Sequence, residues 1–177
     1  ILFGEVEMTA AAPEPSDDDP DAPVYTPMQA FYFTSTIGDS PCAEAPESGI
    51  LIQTPQGAGL VSFRLNDVDI SLGSTAYVQA QPDSDLTLSV VEGQAQVTAQ
   101  GITEIVPAGN QTRVQLDSEG KPAAPPTVPQ PYTRESVRQL PVVRLERQIA
   151  IASVELNSQL IRNAEDWLLY TSGMRPA

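Results

Sequence analysis

The 177 residues carry 23 Asp and Glu against nine Lys and Arg, with no His, a formal net charge of −14 and 41% apolar side chains. This length and apolar content suit one domain with a core plus arms. The charge repels phosphate backbones and anionic headgroups, which sets nucleic-acid and membrane-surface binding aside as functions. Residues 1–132 hold 18 acids with only Arg64, Arg113 and Lys121 (net −15), whereas residues 133–177 hold five acids and six arginines (net +1). That asymmetry suits a C-terminal segment docked on an acidic body, its own or a neighbour's, or simply solvated charge.

The chain opens on Ile1 rather than Met, read as a start left after loss of a leader or anchor, or as that of an excised fragment. Ile1-Leu2-Phe3-Gly4 is a short apolar patch with no evident core to join. Residues 9–24 (TAAAPEPSDDDPDAPV) offer almost nothing to bury, so 1–24 reads as an acidic arm. The β domain is expected over 25–121. Its first strand signature is Met28–Ile37, rich in aromatic and β-branched residues. Further runs follow at Gly49–Gln53, Leu60–Leu65, Val68–Leu72, Thr75–Gln81, Leu86–Val91, Ala95–Ala99, Ile102–Val106 and Thr112–Leu116. Turn chemistry separates them at Asn66-Asp67, Pro82–Asp85, Glu92-Gly93, Gln100-Gly101 and Pro107–Asn110. Alternation such as Val61, Phe63, Leu65 against Ser62, Arg64, Asn66 predicts one buried and one wet face, as in an antiparallel sheet.

Five prolines between Pro122 and Pro131 predict an extended linker over 122–132 that carries the chain away from the sheet. In the tail, 133–177, Thr133 reads as the N-cap of a short helix ending before Pro141, and Val142–Ala152 as extended. Leu156, Leu160, Ile161, Ala164, Trp167 and Leu168 recur at helical spacing, which predicts an amphipathic helix over about 154–170. No apolar run reaches the 18 residues that a membrane-spanning helix needs.

The absence of histidine removes Ser-His-Asp and Cys-His catalysis and the usual zinc sites. The one lysine, Lys121, sits in a solvated stretch where nothing lowers its pKa. The carboxylate pairs Asp67/Asp69 and Asp83/Asp85 are of glycosidase type by residue alone, without an apolar pocket to raise one partner. Asp17, Asp18, Asp19 and Asp21 lack the spacing of a dedicated Ca²⁺ loop and read as a solvated acidic run. No enzyme activity, cofactor or metal is therefore expected. Cys42, the single cysteine, excludes an internal disulfide. Within the loop-like Ser40–Pro46 it is a candidate cross-link to another chain or a small buried thiol. Asn110-Gln111-Thr112 matches a glycosylation sequon on a turn.

Over Gly49–Leu116, the run GSTAYVQA, the Val-x-Glu-Gly of Val90–Gly93 and the Pro-Ala-Gly of Pro107–Gly109 together resemble FecR-like extracytoplasmic domains. The resemblance implies a mainly β, antiparallel β-roll or sandwich of double-stranded β-helix, cupin-like type, here with an extended N-terminal arm and a C-terminal helix. It also implies an envelope β-domain that binds other proteins and brings no catalytic residue. These residues carry neither the cytoplasmic helical segment nor the spanning helix of the family's signal-relaying regulators. Low Lys, abundant Thr, Ser and Gln, and 17 prolines likewise suggest a secreted or cell-surface location.

The first expectation for function is a non-catalytic protein-interaction or assembly subunit that contacts other subunits, copies of itself or different chains, through its terminal arms. Phe31, Phe33, Trp167, Leu160, Leu168, Cys42 and Ile1–Phe3 are its candidate contacts. The second is a glycan or small-ligand module using the polar sheet face with Tyr77 or Tyr32 as stacking platforms. Envelope signal relay is the third.

Overall fold

The computed structural model describes residues 1–11, 29–36 and 46–153. Strands β1 (Leu2–Phe3), β2 (Val6–Ala10), β3 (Ala30–Ser35), β4 (Gly49–Gln53), β5 (Val61–Leu65), β6 (Val68–Ala80), β7 (Asp85–Ala99), β8 (Ile102–Pro107), β9 (Asn110–Gln115) and β10 (Gln130–Pro131) are followed by helix α1 (Arg134–Val137) and a 3-10 turn, Val142–Arg144. All ten strands belong to one sheet ordered β10-β9-β7-β6-β5-β3-β2, with β1 beside β4, β4 beside β6 and β8 beside β7. The chain is mainly β and the sheet is not closed. It is also mixed rather than antiparallel throughout, because β3 pairs parallel to β5. The cause is β4, which pairs with β1 and β6 and so turns the β3-to-β5 connection into a crossover.

Two hairpins form as their turn residues dictate. Asn66 and Asp67 (φ 53° and 57°) join β5 to β6, and Gln100 and Gly101 (φ 51° and 73°) join β7 to β8. Positive φ at both central positions gives the turn whose twist matches that of paired strands. Asn66 does more than turn the chain. Its buried side chain accepts from Phe33 N–H at 3.0 Å and donates to Gly120 C=O at 3.0 Å, tying β3 and a distant loop to the hairpin.

The expected turn at Glu92-Gly93 is absent. Val68–Leu72 and Thr75–Gln81 merge into β6, and Leu86–Val91 and Ala95–Ala99 merge into the 15-residue β7. The two long strands stay paired with one irregularity: Thr75 faces Glu92 and Ala76 faces Val90, leaving Val91 as an extra residue. Such a bulge kinks the strand and shifts side-chain phase by one. Hence Leu86, Leu88 and Val90 before it, and Ala95, Val97 and Ala99 after it, enter the same core with Phe33, Leu65, Ile70, Leu72 and Val78. Gly93, φ 74°, sits at the kink, where a Cβ would run into the Ser74 side chain and the Gly73 carbonyl.

Two sequence expectations about the ends of the domain are corrected. Ile1–Phe3 does have a core to join: β1 lies on β4, with Ile1 N–H to Leu51 C=O at 2.7 Å and the return bond at 2.8 Å. The next residues pair as β2 along β3, so the first part of the supposed arm is sheet. The proline-rich stretch also stays with the sheet. Ala123 donates to Gln115 and Thr127 to Arg113, and Gln130 pairs with Gln111, so residues 122–131 run back along β9. Prolines cannot donate, but the intervening Ala123 and Thr127 supply N–H groups on the side facing the strand.

Gly93→Ala forces a left-handed alanine against backbone and side-chain atoms, and is expected to cost about 3 kcal/mol. Urea unfolding checks this; an unchanged midpoint would remove the kink from the constraints on the fold.

Candidate interaction surface

Beyond the bulge, the sheet face turned away from the main core is apolar as well. Leu51 on β4, Tyr77 on β6 and the extra residue Val91 on β7 form a second buried cluster with Tyr132, Val137 and Leu140, and Phe3, Val142, Leu145, Ile149 and Ile151 pack against it. Both ends of the described chain thus cover one patch. From the N-terminal side, Phe3 stacks on Tyr77 with ring centroids 5.7 Å apart and planes 18° apart. Gly49, opposite Phe3 in register, leaves room for the Tyr77 ring, which a Cβ there would strike. The Tyr77 hydroxyl donates to Glu47 C=O at 2.9 Å. Burial, aided by Glu47, raises its pKa far above the usual phenol value.

From the C-terminal side, the strap 132–152 is fixed at three places. Tyr132 O–H donates to Ala152 C=O at 2.6 Å. Burial pushes that phenol up to about 12, so it stays a donor at neutral pH. Ala152 N–H in turn donates to Val91 C=O at 2.9 Å. Gln53 accepts from the Arg147 backbone N–H at 3.0 Å and donates to its C=O at 2.8 Å, a side-chain amide standing in for a strand partner. The Arg147 guanidinium grips Glu92 with both nitrogens at 2.6 and 2.7 Å, the planar fork that suits Arg and not Lys. Ser74 and Thr75 also donate to Glu92. The hydrogen bonds from Arg147, opposed by burial and helped by Ser74, hold the Glu92 carboxyl below its ordinary value.

The sequence-derived candidates fall in different places. Phe33 is fully buried in the main core and offers nothing to a partner. Phe31, one register step away, is half-buried against the same core. Asn110 is buried, its amide donating to Pro107 C=O at 3.3 Å, so the sequon's nitrogen is turned inward. Cys42, Leu160, Trp167, Leu168 and the 154–170 helix lie outside the described residues, as do the aspartates of 17–21. Thr133 caps α1 through its hydroxyl, 3.3 Å from Ser136 N–H. Val142–Ala152, expected to be extended, opens with the 3-10 turn.

The Asp67/Asp69 pair is structural in its contacts. Asp69 forms a two-pronged ion pair with Arg64 (2.6 and 3.1 Å) across β5 and β6, while Asp67 accepts from the Tyr32 hydroxyl at 3.1 Å. Tyr77, named as a stacking platform, lies under Phe3. Among the described residues no group of three Cys, Asp or Glu side chains could hold a metal ion, and no helix is long and apolar enough to cross a membrane. The Arg147–Glu92 and Gln53 contacts escape sequence reasoning because they join residues 55 and 94 apart with no local signal. The trace of the strap in the sequence is the Thr133 cap and the short helix it opens.

The strap has two checkable dependences. Tyr132→Phe leaves the Ala152 carbonyl without its donor and should cost about 1–2 kcal/mol in denaturant unfolding. Because the folded-state pKa of Glu92 is depressed, its contribution is present above the unfolded value, 4.5, and is lost as pH falls through the folded value. The protection factors of the Arg147 and Ala152 amides, taken relative to the intrinsic exchange rate at each pH, should therefore fall at acid pH. The same fall in Glu92→Gln would show that another group titrates.

Compared with known proteins, the chain is without a match: no family model, no curated protein and no solved structure matches it.

Proposed function

We propose that the chain is a non-catalytic, extracytoplasmic assembly subunit whose folded body holds its terminal segments in place for contact with other protein subunits. The observation that carries this reading is the shared docking patch. Phe3 from one end and the strap 132–152 from the other are both fixed over Leu51, Tyr77 and Val91. A strap latched by Arg147–Glu92, Gln53 and Tyr132 up to its last turn resists tension where residues 154–177 begin. Those residues include Leu160, Trp167 and Leu168 at helical spacing in the sequence, with large side chains of the kind that dominate protein interfaces. The acidic segment 12–28, with five carboxylates and no base, supplies charge for partner choice rather than area to bury.

The architecture proposed with this function is a β-roll of the FecR-like, double-stranded β-helix kind. Support comes from the kinked β6–β7 pair, whose two halves share one core. The glycan reading is less well supported, since Tyr77 is covered and the Tyr32 hydroxyl is engaged by Asp67.

The test is the native mass of the full chain, by light scattering, beside a chain ending at Ser153. That cut keeps every described residue, whereas one at 121 would strip Tyr132 and the strap from the second cluster. A full-length species larger than the shortened one is expected. Equal masses would overturn assembly through the C-terminal segment.

A further inference from the structure

Among the described residues the sheet ends laterally at β1, β2, β8 and β10. Exposed sheet edges invite pairing, and natural proteins blunt them with short strands, charges, prolines or bulges. β1 and β10 are two residues long, and β10 ends on Pro131. β2 shows the exposed carboxylate of Glu7, with exposed Glu5 just before the strand. β8 is six residues long, and its protection is limited to Glu104 and the terminal Pro107. Its six residues pair with β7 in unbroken register from Ile102 opposite Ala99 to Pro107 opposite Gln94. Ile102 and Ile105 are 49% and 59% exposed, on opposite faces of the strand.

The phase of the ladder fixes which backbone groups are free. A two-residue turn at Gln100-Gly101 makes Ala99 and Ile102 a hydrogen-bonded pair. The bond from Ala108 N–H to Gly93 C=O at 2.9 Å shows the same phase at the other end. Val97–Glu104 and Ala95–Val106 then share it, so the N–H and C=O of Thr103 and Ile105 point away from β7.

We propose that β8 is a self-association edge, at which two copies of the chain pair antiparallel across a two-fold axis. Thr103 of each copy stands opposite Ile105 of the other, giving four main-chain hydrogen bonds, and the exposed isoleucines are covered on both faces. Charge selects a second copy here. At a net −14 two copies repel, yet between Gly93 and Thr112 the one charged side chain is Glu104. This hairpin is therefore a place where like-charged bodies approach at low cost, and a two-fold contact is self-complementary by construction. Glu104 then faces its own symmetry mate, the one repulsive element of the contact.

Sedimentation of the full chain over a concentration series tests the proposal. A monomer–dimer equilibrium that tightens with salt is expected, since salt screens the repulsion between the two bodies. Ile105→Lys and Ile105→Pro should each weaken it by about tenfold or more. Proline at 105 removes an N–H that faces solvent in the monomer, so pairing with β7 survives. Ile105→Lys replaces an exposed side chain, and unchanged circular dichroism verifies the fold of both variants. Glu104→Gln should tighten the dimer several-fold. The dimer should persist in the chain ending at Ser153, which separates this contact from assembly through the C-terminal segment. A monomer under all conditions, a dimer indifferent to both Ile105 variants, or one lost on removing residues 154–177 would overturn the proposal.

Discussion

The structure depends on one extra residue in β7. Had β6 and β7 run on in register, Ala95, Val97 and Ala99 would face away from Leu86, Leu88 and Val90, and a one-residue slip of phase would expose half of the core. The bulge at Val91 reverses the phase, so the apolar residues of both halves of β7 reach a common interior. It also places Val91 itself on the opposite face, beside Leu51 and Tyr77. One local irregularity thus creates both the main core and the secondary patch. Gly93 is what permits it, since a left-handed residue pressed against the Gly73 carbonyl has no room for a side chain.

A patch created in this way must be covered, and the chain covers it with segments that have little regular structure of their own. β1 is two residues long, α1 spans four and the remaining strap is a 3-10 turn with irregular backbone. Segments of that kind lack a ladder to satisfy their N–H and C=O groups, so side chains of the sheet and of the strap itself take over. Gln53 pairs with the Arg147 backbone as a strand neighbour would, and the Tyr132 hydroxyl satisfies Ala152. The Arg147–Glu92 pair lies at the edge of the patch with each side chain about one-third exposed (32% and 30%). Its role is to fix the register of the strap more than to supply net stability, because such pairs are partly screened by solvent.

Much of the fold is legible in the sequence where the signal is local. The Asn66-Asp67 and Gln100-Gly101 hairpins follow from residues that tolerate positive φ, and most strand positions follow from alternation. Glu92-Gly93 misleads because glycine serves a turn and a bulge equally well. The discriminating signal was present in the switch from buried even-numbered positions (86, 88, 90) to buried odd-numbered ones (95, 97, 99), which a turn does not require and a bulge does. The prolines of 122–131 misled for a related reason. They forbid donation at their own positions but leave Ala123 and Thr127 free to pair, so a proline-rich stretch can still follow a sheet edge. Among the candidate site residues, Phe33 was ambiguous because a strand aromatic reads the same whether it anchors a core or an interface. Which it does depends on the strand laid across it, here β5 and the Asn66 hairpin.

Charge completes the organisation of the surface. The acidic residues of 12–28 lie in a stretch of sequence with little apolar content to bury, and the arginines cluster after Thr133, where Arg147 finds Glu92 on the sheet. The polar sheet face is satisfied from within: Arg64 with Asp69, Ser62 with Ser71 at 2.8 Å, and Thr98 with Thr103 at 2.8 Å. Groups already paired to each other have less to gain from a ligand, since binding must first undo those contacts. Among the described residues, unpaired main-chain capacity is left where strands end laterally. That distribution is what favours the proposed assembly reading over one in which the body encloses a substrate.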